Sequence, residues 1–218
     1  MAAEPGPAGG ERRRAQLYAG AVAAIAAAAL TGWRLHLHLL TRVSTEYVPI
    51  APSTAVCFLA LAAAVIAVAR WPQRRRTEGL VLAAVAVVVV LAAHVLLQAA
   101  RGVDLGLERA LCVAFGAPRT FPLGRMSPVA AALFLIAAGA LAGRTGRVAR
   151  RRFAADVSTA LAAVVLAGGL VFTFGYWLKA PVMYGGTTIP LSLPTAVAFV
   201  LTGLALLALV GHRIWAVG

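Results

Sequence analysis

Four histidines, two cysteines and seven acidic residues are all that this 218-residue chain offers for proton transfer, nucleophilic attack or metal ligation. His36 and His38 flank Leu37, and His94 sits in a long apolar run. Imidazoles are the commonest protein ligands of zinc and haem iron, and Cys57, Cys112 and Met126 are further donors. A His-x-His pair on a helix points its two side chains about 200° apart, so His36 and His38 ligate together only on an extended backbone. No cofactor is therefore expected first, and a haem or metal ion at His36, His38 and His94 is the secondary expectation. A histidine inside a membrane helix is costly and marks a functional suspect, but a polar contact between helices accounts for His94 more simply. Of the carboxylates, Glu46, Asp104 and Glu108 lie between apolar runs. Two acids in one loop are the raw material of general acid–base chemistry. No nucleophile or metal-site motif accompanies them, so no catalytic residue is assigned, and solvation at the surface or pairing with arginines is their default. Together with nearby residues they make a ligand-sensing candidate set: Glu46, Tyr47, Asp104, Glu108, Arg109 and Tyr184.

The elements that must position these groups announce themselves by repetition. Pro52-Ser53-Thr54-Ala55-Val56-Cys57-Phe58, Pro128-Val129-Ala130-Ala131-Ala132-Leu133-Phe134 and Leu193-Pro194-Thr195-Ala196-Val197-Ala198-Phe199 are three copies of one pattern. Aligned on the phenylalanine, they place Thr54, Ala130 and Thr195 one helical turn before it, and Ala62, Ala138 and Gly203 one turn after. Positions i, i+4 and i+8 share a helix face, and proline is tolerated in a first turn. Thr54, Phe58, Ala130, Phe134, Thr195, Phe199 and Gly203 are thus the expected packing face of a helix repeated three times. Regular self-similarity implies three tandem helical hairpins.

With 61% apolar and 12% charged residues, the composition is that of an integral membrane protein. Expected spans are 15–33, 52–69, 79–99, 128–143, 153–178 and 193–211, each helical because lipid leaves an open backbone unsatisfied. Residues 1–14 are expected to be a disordered basic N-terminus, and 212–218 a cytoplasmic tail. The net charge of +13 does not indicate nucleic acid, because the arginines sit at the edges of apolar runs. Arg12–Arg14, Arg70, Arg74–Arg76, Arg144, Arg147, Arg150–Arg152 and Arg213 fall on one side, which carries 13 of the 20 basic residues. The positive-inside rule makes that side cytoplasmic and puts both termini there. The expected fold is therefore an all-α integral membrane bundle of six transmembrane helices. Of the connections on the far side, 100–127 has the most individuality: Asp104 is placed to cap a short helix whose Leu107, Leu111 and Phe115 share one face, with Glu108 and Arg109 turned away from it. Gly139-x3-Gly143 matches a helix-dimerisation spacing, and packing within the bundle explains it as well.

The phrases Asp104-Leu105-Gly106-Leu107-Glu108-Arg109, Gly124-Arg125-Met126-Ser127-Pro128 and Met183-Tyr184-Gly185-Gly186-Thr187-Thr188-Ile189-Pro190, running on to Phe199, resemble a bacterial membrane sensor region. It is the six-helix N-terminal module found ahead of PAS domains in sensor histidine kinases and ahead of some diguanylate cyclases. The resemblance covers nearly the whole chain, although Ala130 stands where the repeat favours threonine. It implies signal reception in a bacterial inner membrane, a possible homodimer, and a kinase or cyclase output domain beyond these residues, since no phosphoacceptor, ATP-binding or cyclase motif occurs within them. The other expectation is a small membrane transporter or a haem- or metal-carrying membrane protein.

Overall fold

The structure, a computed structural model, describes residues 7–41, 48–71, 75–102, 104, 106–117, 124–144, 152–178 and 189–211. They are helical almost throughout: α1 (Pro7–Arg34), the single turn α2 (His38–Thr41), α3 (Pro52–Arg70), α4 (Arg75–Arg101), α5 (Leu107–Phe115), α6 (Pro128–Ala142), α7 (Arg152–Trp177) and α8 (Leu193–Gly211). The helix α1 begins at Pro7, so residues 7–14 are helical and not the disordered segment expected; the proline supplies a first-turn residue whose absent N–H is no loss there. Residues 1–6 and 212–218 lie outside the described residues.

Helices α1, α3, α4 and α7 are each long and apolar enough to cross a membrane; α6, and α8 over Leu193–Leu209, are shorter apolar helices. The α4 helix shows why the surroundings are lipid and not water. Its inward stripe is Val81, Ala84, Val88, Leu91, Ala92 and Val95, yet Leu80, Leu82, Val87, Val89, Val90 and Leu97 face outward and are exposed. A helix apolar all round has no face for water.

The long helices close a ring in the order α1, α3, α4, α6, α7, α8 and back to α1, and α3, α6 and α8 also touch one another across its middle. The repeat thus lies on the three inner helices, and each outer helix packs on the inner helix that follows it: α1 on α3, α4 on α6, α7 on α8. Phe58, Phe134 and Phe199 meet at the centre with ring centroids 4.7–4.9 Å apart, tilted by 55–63°. All three are fully buried. Edge-to-face and tilted pairs of this kind are favourable beyond their buried area, by about 0.5–1.5 kcal/mol each. Thr54, Ala130 and Thr195 form the buried layer a turn above, and Val65, Leu141 and Leu206 the buried layer two turns below.

Small residues set the closest approach. A Cβ on Gly203 would lie 2.7 Å from the backbone of Leu166, and one on Gly169 2.6 Å from the Val200 nitrogen; α7 and α8 are therefore in near backbone contact. Gly143 faces Ser158 on α7, so it packs inside the bundle. At the same end Arg144 donates to the carbonyl of Leu209, and the Thr77 hydroxyl donates to the Trp71 carbonyl at 2.8 Å.

Candidate functional site

Extended residues lead into each inner helix, with Ala51 and Ser127 at (φ, ψ) of (−69°, 147°) and (−65°, 138°) as the N-cap positions of α3 and α6. Eight residues before each central phenylalanine stand Ile50, Met126 and Leu191, all at most 2% exposed. Each is tied down by one backbone hydrogen bond to a side chain from elsewhere. The Trp33 indole donates to the Ile50 carbonyl at 2.7 Å, and the Tyr176 hydroxyl to the Leu191 carbonyl at 2.6 Å. Both donors come from the end of the preceding outer helix. In the middle repeat the partner is instead a carboxylate on α5: the Met126 N–H donates to Glu108 Oε1 at 2.7 Å.

The local sequence dictates how α5 delivers that carboxylate. Gly102, Gly106 and Gly116 have positive φ, a conformation glycine adopts without strain. Asp104 Oδ1 accepts from the Gly106 N–H at 2.8 Å, an Asx turn that starts the helix. At the far end the Gly116 N–H reaches Val113 O and the Ala117 N–H reaches Cys112 O, the Schellman pattern of a glycine-terminated helix. Held at both ends, α5 turns Glu108 and Cys112, one helical turn apart, into the bundle. Glu108 is 4% exposed. Its Oε1 accepts a second hydrogen bond, from the Ser53 hydroxyl at 2.8 Å, and Cys112 Sγ donates to Gly124 O at 3.3 Å. One carboxylate oxygen therefore joins α5 to the starts of both α3 and α6.

The electrostatics divide by depth. Burial pushes the Glu108 carboxyl above its ordinary value, with opposing contributions from the Met126 N–H, the Ser53 hydroxyl, Arg125 and His94. At the surface Asp104 is held below the usual carboxylate range, first by the Gly106 N–H and then by Arg109 and Arg125, whose guanidinium nitrogens both lie 3.1 Å from its Oδ2. Because the folded protein binds the Glu108 proton more tightly than the unfolded chain does, stability falls as pH rises from the ordinary glutamate range through the raised folded value. Glu108→Gln, which keeps an acceptor oxygen, is expected to flatten that slope; unfolding transitions of the two proteins across the acidic-to-neutral range measure it, and parallel slopes would contradict the assignment.

Several site expectations require correction. Glu108 is neither solvated nor turned away: a buried donor pair makes the interior its better-satisfied environment. Leu107 is exposed, and the buried positions of α5 are Glu108 and Cys112 with Leu111 and Phe115 packed beside them. Asp104 is not the N-cap; Gly106 is, in a left-handed conformation. Arg109 stays at the surface on Asp104. His36 is exposed on a positive-φ turn, whereas His94 is 3% exposed in α4 with both ring nitrogens unpartnered. Among the described residues no three His, Cys, Asp or Glu side chains come together. Glu46, Tyr47, Tyr184 and the His38 side chain lie outside the described residues. Sequence reasoning missed Ser53, Ser127 and the Ile50, Met126, Leu191 layer. Extending the repeat alignment eight residues before each phenylalanine would have found that layer, since all three positions are large and apolar.

Closed helical packing with apolar outward faces defines an all-α membrane protein. No protein-family model, curated protein or solved structure matches the chain.

Proposed function

We propose that the chain is the membrane-embedded input module of a bacterial signal-transduction protein. In this reading all six long helices span the inner membrane, with both termini cytoplasmic and α5 at the periplasmic face. The distribution of arginines supports that orientation, as does the sequence resemblance to kinase and cyclase sensor regions. Ring closure brings α1 next to α8, so the two ends of the bundle are mechanically joined. One observation carries the reading: Glu108 bonds the surface helix α5 at once to the first turn of α3 and to the residue before the N-cap of α6. An event that moves α5 must then break or drag that bond, and the inner helices run from it towards the cytoplasm, where α8 leads to a kinase or cyclase domain in a homodimer.

The test begins with the native gene product, detected on a denaturing blot by an antibody to residues 104–115. A species much larger than 22.4 kDa with kinase or cyclase activity is expected. Excising residues 104–115 from it should change that activity several-fold without changing its amount in the membrane. A species at 22.4 kDa, or an output indifferent to the excision, would contradict the proposal.

The unpartnered, buried His94 favours a second reading. An ionisable side chain within a membrane helix is a natural site for proton transfer or haem or metal ligation, which would suit a small transporter or cofactor carrier. Purified protein with a Soret band, lost in His94→Ala, would establish the haem branch in place of the first reading.

A further inference from the structure

The starts of the three inner helices converge on a small half-open cleft at the α5 end of the bundle. Thr54, Ala130 and Thr195, the layer directly above the phenylalanines, line it together with Ser127, Ser192 and Arg125. Its free space is about that of one water molecule, and the aromatic trio closes the bundle beneath.

The lining is part apolar (Val48, Pro49, Ala51, Ala130, Pro190 and Leu191), and its one charged side chain is a cation, Arg125. A helix N-terminus carries roughly half a positive charge and up to four N–H groups without helical partners, and here three such ends meet. Two of them lack a side-chain cap: Ala51 has no group to offer, and Ser127, at the N-cap position of α6, makes no capping bond. In α8 the cap is partial, the Thr195 N–H reaching Ser192 Oγ at 3.4 Å. Ser127 is the independent sign that something else belongs here. It is 4% exposed and its hydroxyl has no hydrogen-bond partner, although a buried hydroxyl without one is costly. Arg125 adds a full charge beside it. Asp104 takes up part of that charge but shares itself with Arg109, so the three side chains together remain net positive. Glu108, the other carboxylate nearby, already accepts from Ser53 and Met126 and does not line the cleft.

The cleft also exists for a reason visible in the repeat. Two copies carry threonine in this layer and the third carries Ala130. A third β-branched side chain there would occupy the space that Ser127 and Arg125 now border.

We infer that this cleft binds a single small anionic group, either a halide ion or the carboxylate head of a larger molecule at the membrane surface, held by Ser127, Arg125 and the first-turn N–H groups of the inner helices. The inference does not depend on the receptor reading, because binding is measured directly on the purified chain.

Detergent-solubilised protein would be titrated with sodium chloride or sodium acetate, with ionic strength held constant by the bulky anion gluconate, and its thermal unfolding followed. Saturable stabilisation by either anion is expected. Response to chloride alone identifies an inorganic-ion site, and response to acetate alone a site for a carboxylate-bearing ligand. Arg125→Gln should weaken the apparent affinity about tenfold, as expected for loss of a charge-assisted bond. Arg101→Gln, which removes an exposed charge that neither lines the cleft nor pairs with Asp104, should change it by less than about twofold. Ala130→Val, which fills the cleft with a side chain shaped like the threonines of the other two repeats, should abolish the response in a folded protein. Absence of stabilisation by both anions would overturn the inference. So would a stabilisation that Arg125→Gln and Ala130→Val leave intact.

Discussion

Phe134→Ala will destabilise the bundle by about 3–5 kcal/mol, the range for deleting a fully buried phenylalanine and leaving a cavity. The ring has no exposure and touches two others at 4.7 Å. Its removal takes two aromatic contacts and the filling at the one point where all three inner helices meet. Lipid does not remove the penalty, because membrane helices associate chiefly through packing and a void forfeits the dispersion contacts of its lining. The neighbouring helices cannot collapse into the space without shifting the Phe58–Phe199 pair, at 4.9 Å. Reversible unfolding in mixed micelles measures the loss. A change below about 1 kcal/mol, typical of surface substitutions, would place Phe134 outside the core.

Gly203→Val is the second large effect, and its cause is the opposite of a cavity. The added Cβ would meet the Cα, Cβ and nitrogen of Leu166 at 2.7 Å, atoms that cannot swing aside as a side-chain tip can. The contact between α7 and α8 must open along its length, and the cost should reach at least about 3 kcal/mol, the upper part of the range for overpacked cores. Gly139→Ala provides the contrast. Its new Cβ would sit 3.4 Å from Leu161 Cδ1, a flexible methyl, and a loss within about 1 kcal/mol is expected. Both glycines belong to small-residue patterns in the sequence, yet only one is a backbone contact. Equal effects in the two variants would contradict the packing of α7 on α8.

That contrast also shows how far the sequence could be read. Three copies of one phenylalanine-centred pattern were enough to anticipate the helical hairpins and to nominate Phe58, Phe134 and Phe199, because a period shared by three segments reports a shared environment. Apolar runs bounded by arginines located the helices to within a few residues, except at the start of α1. The site was far less legible. Glu108 reads as a surface residue on charge alone, and its burial depends on two partners, Ser53 and the Met126 N–H, that are distant in sequence and ordinary in type. Asp104 was recognised as a helix-starting residue, but the glycine two positions on takes the N-cap. Ser127 gave a misleading signal: a serine before a proline-led helix suggests a cap, yet its hydroxyl caps nothing.

The three repeats share one central contact, and a mutant cycle on Phe58 and Phe199 tests it. These residues lie on the first and last inner helices, far apart in sequence. If their rings touch as described, Phe58→Ala and Phe199→Ala will be non-additive, with a coupling of about 0.5–3 kcal/mol. Losses that simply sum to within about 0.3–0.5 kcal/mol would mean the two rings do not meet, and the threefold arrangement of inner helices would fall with them.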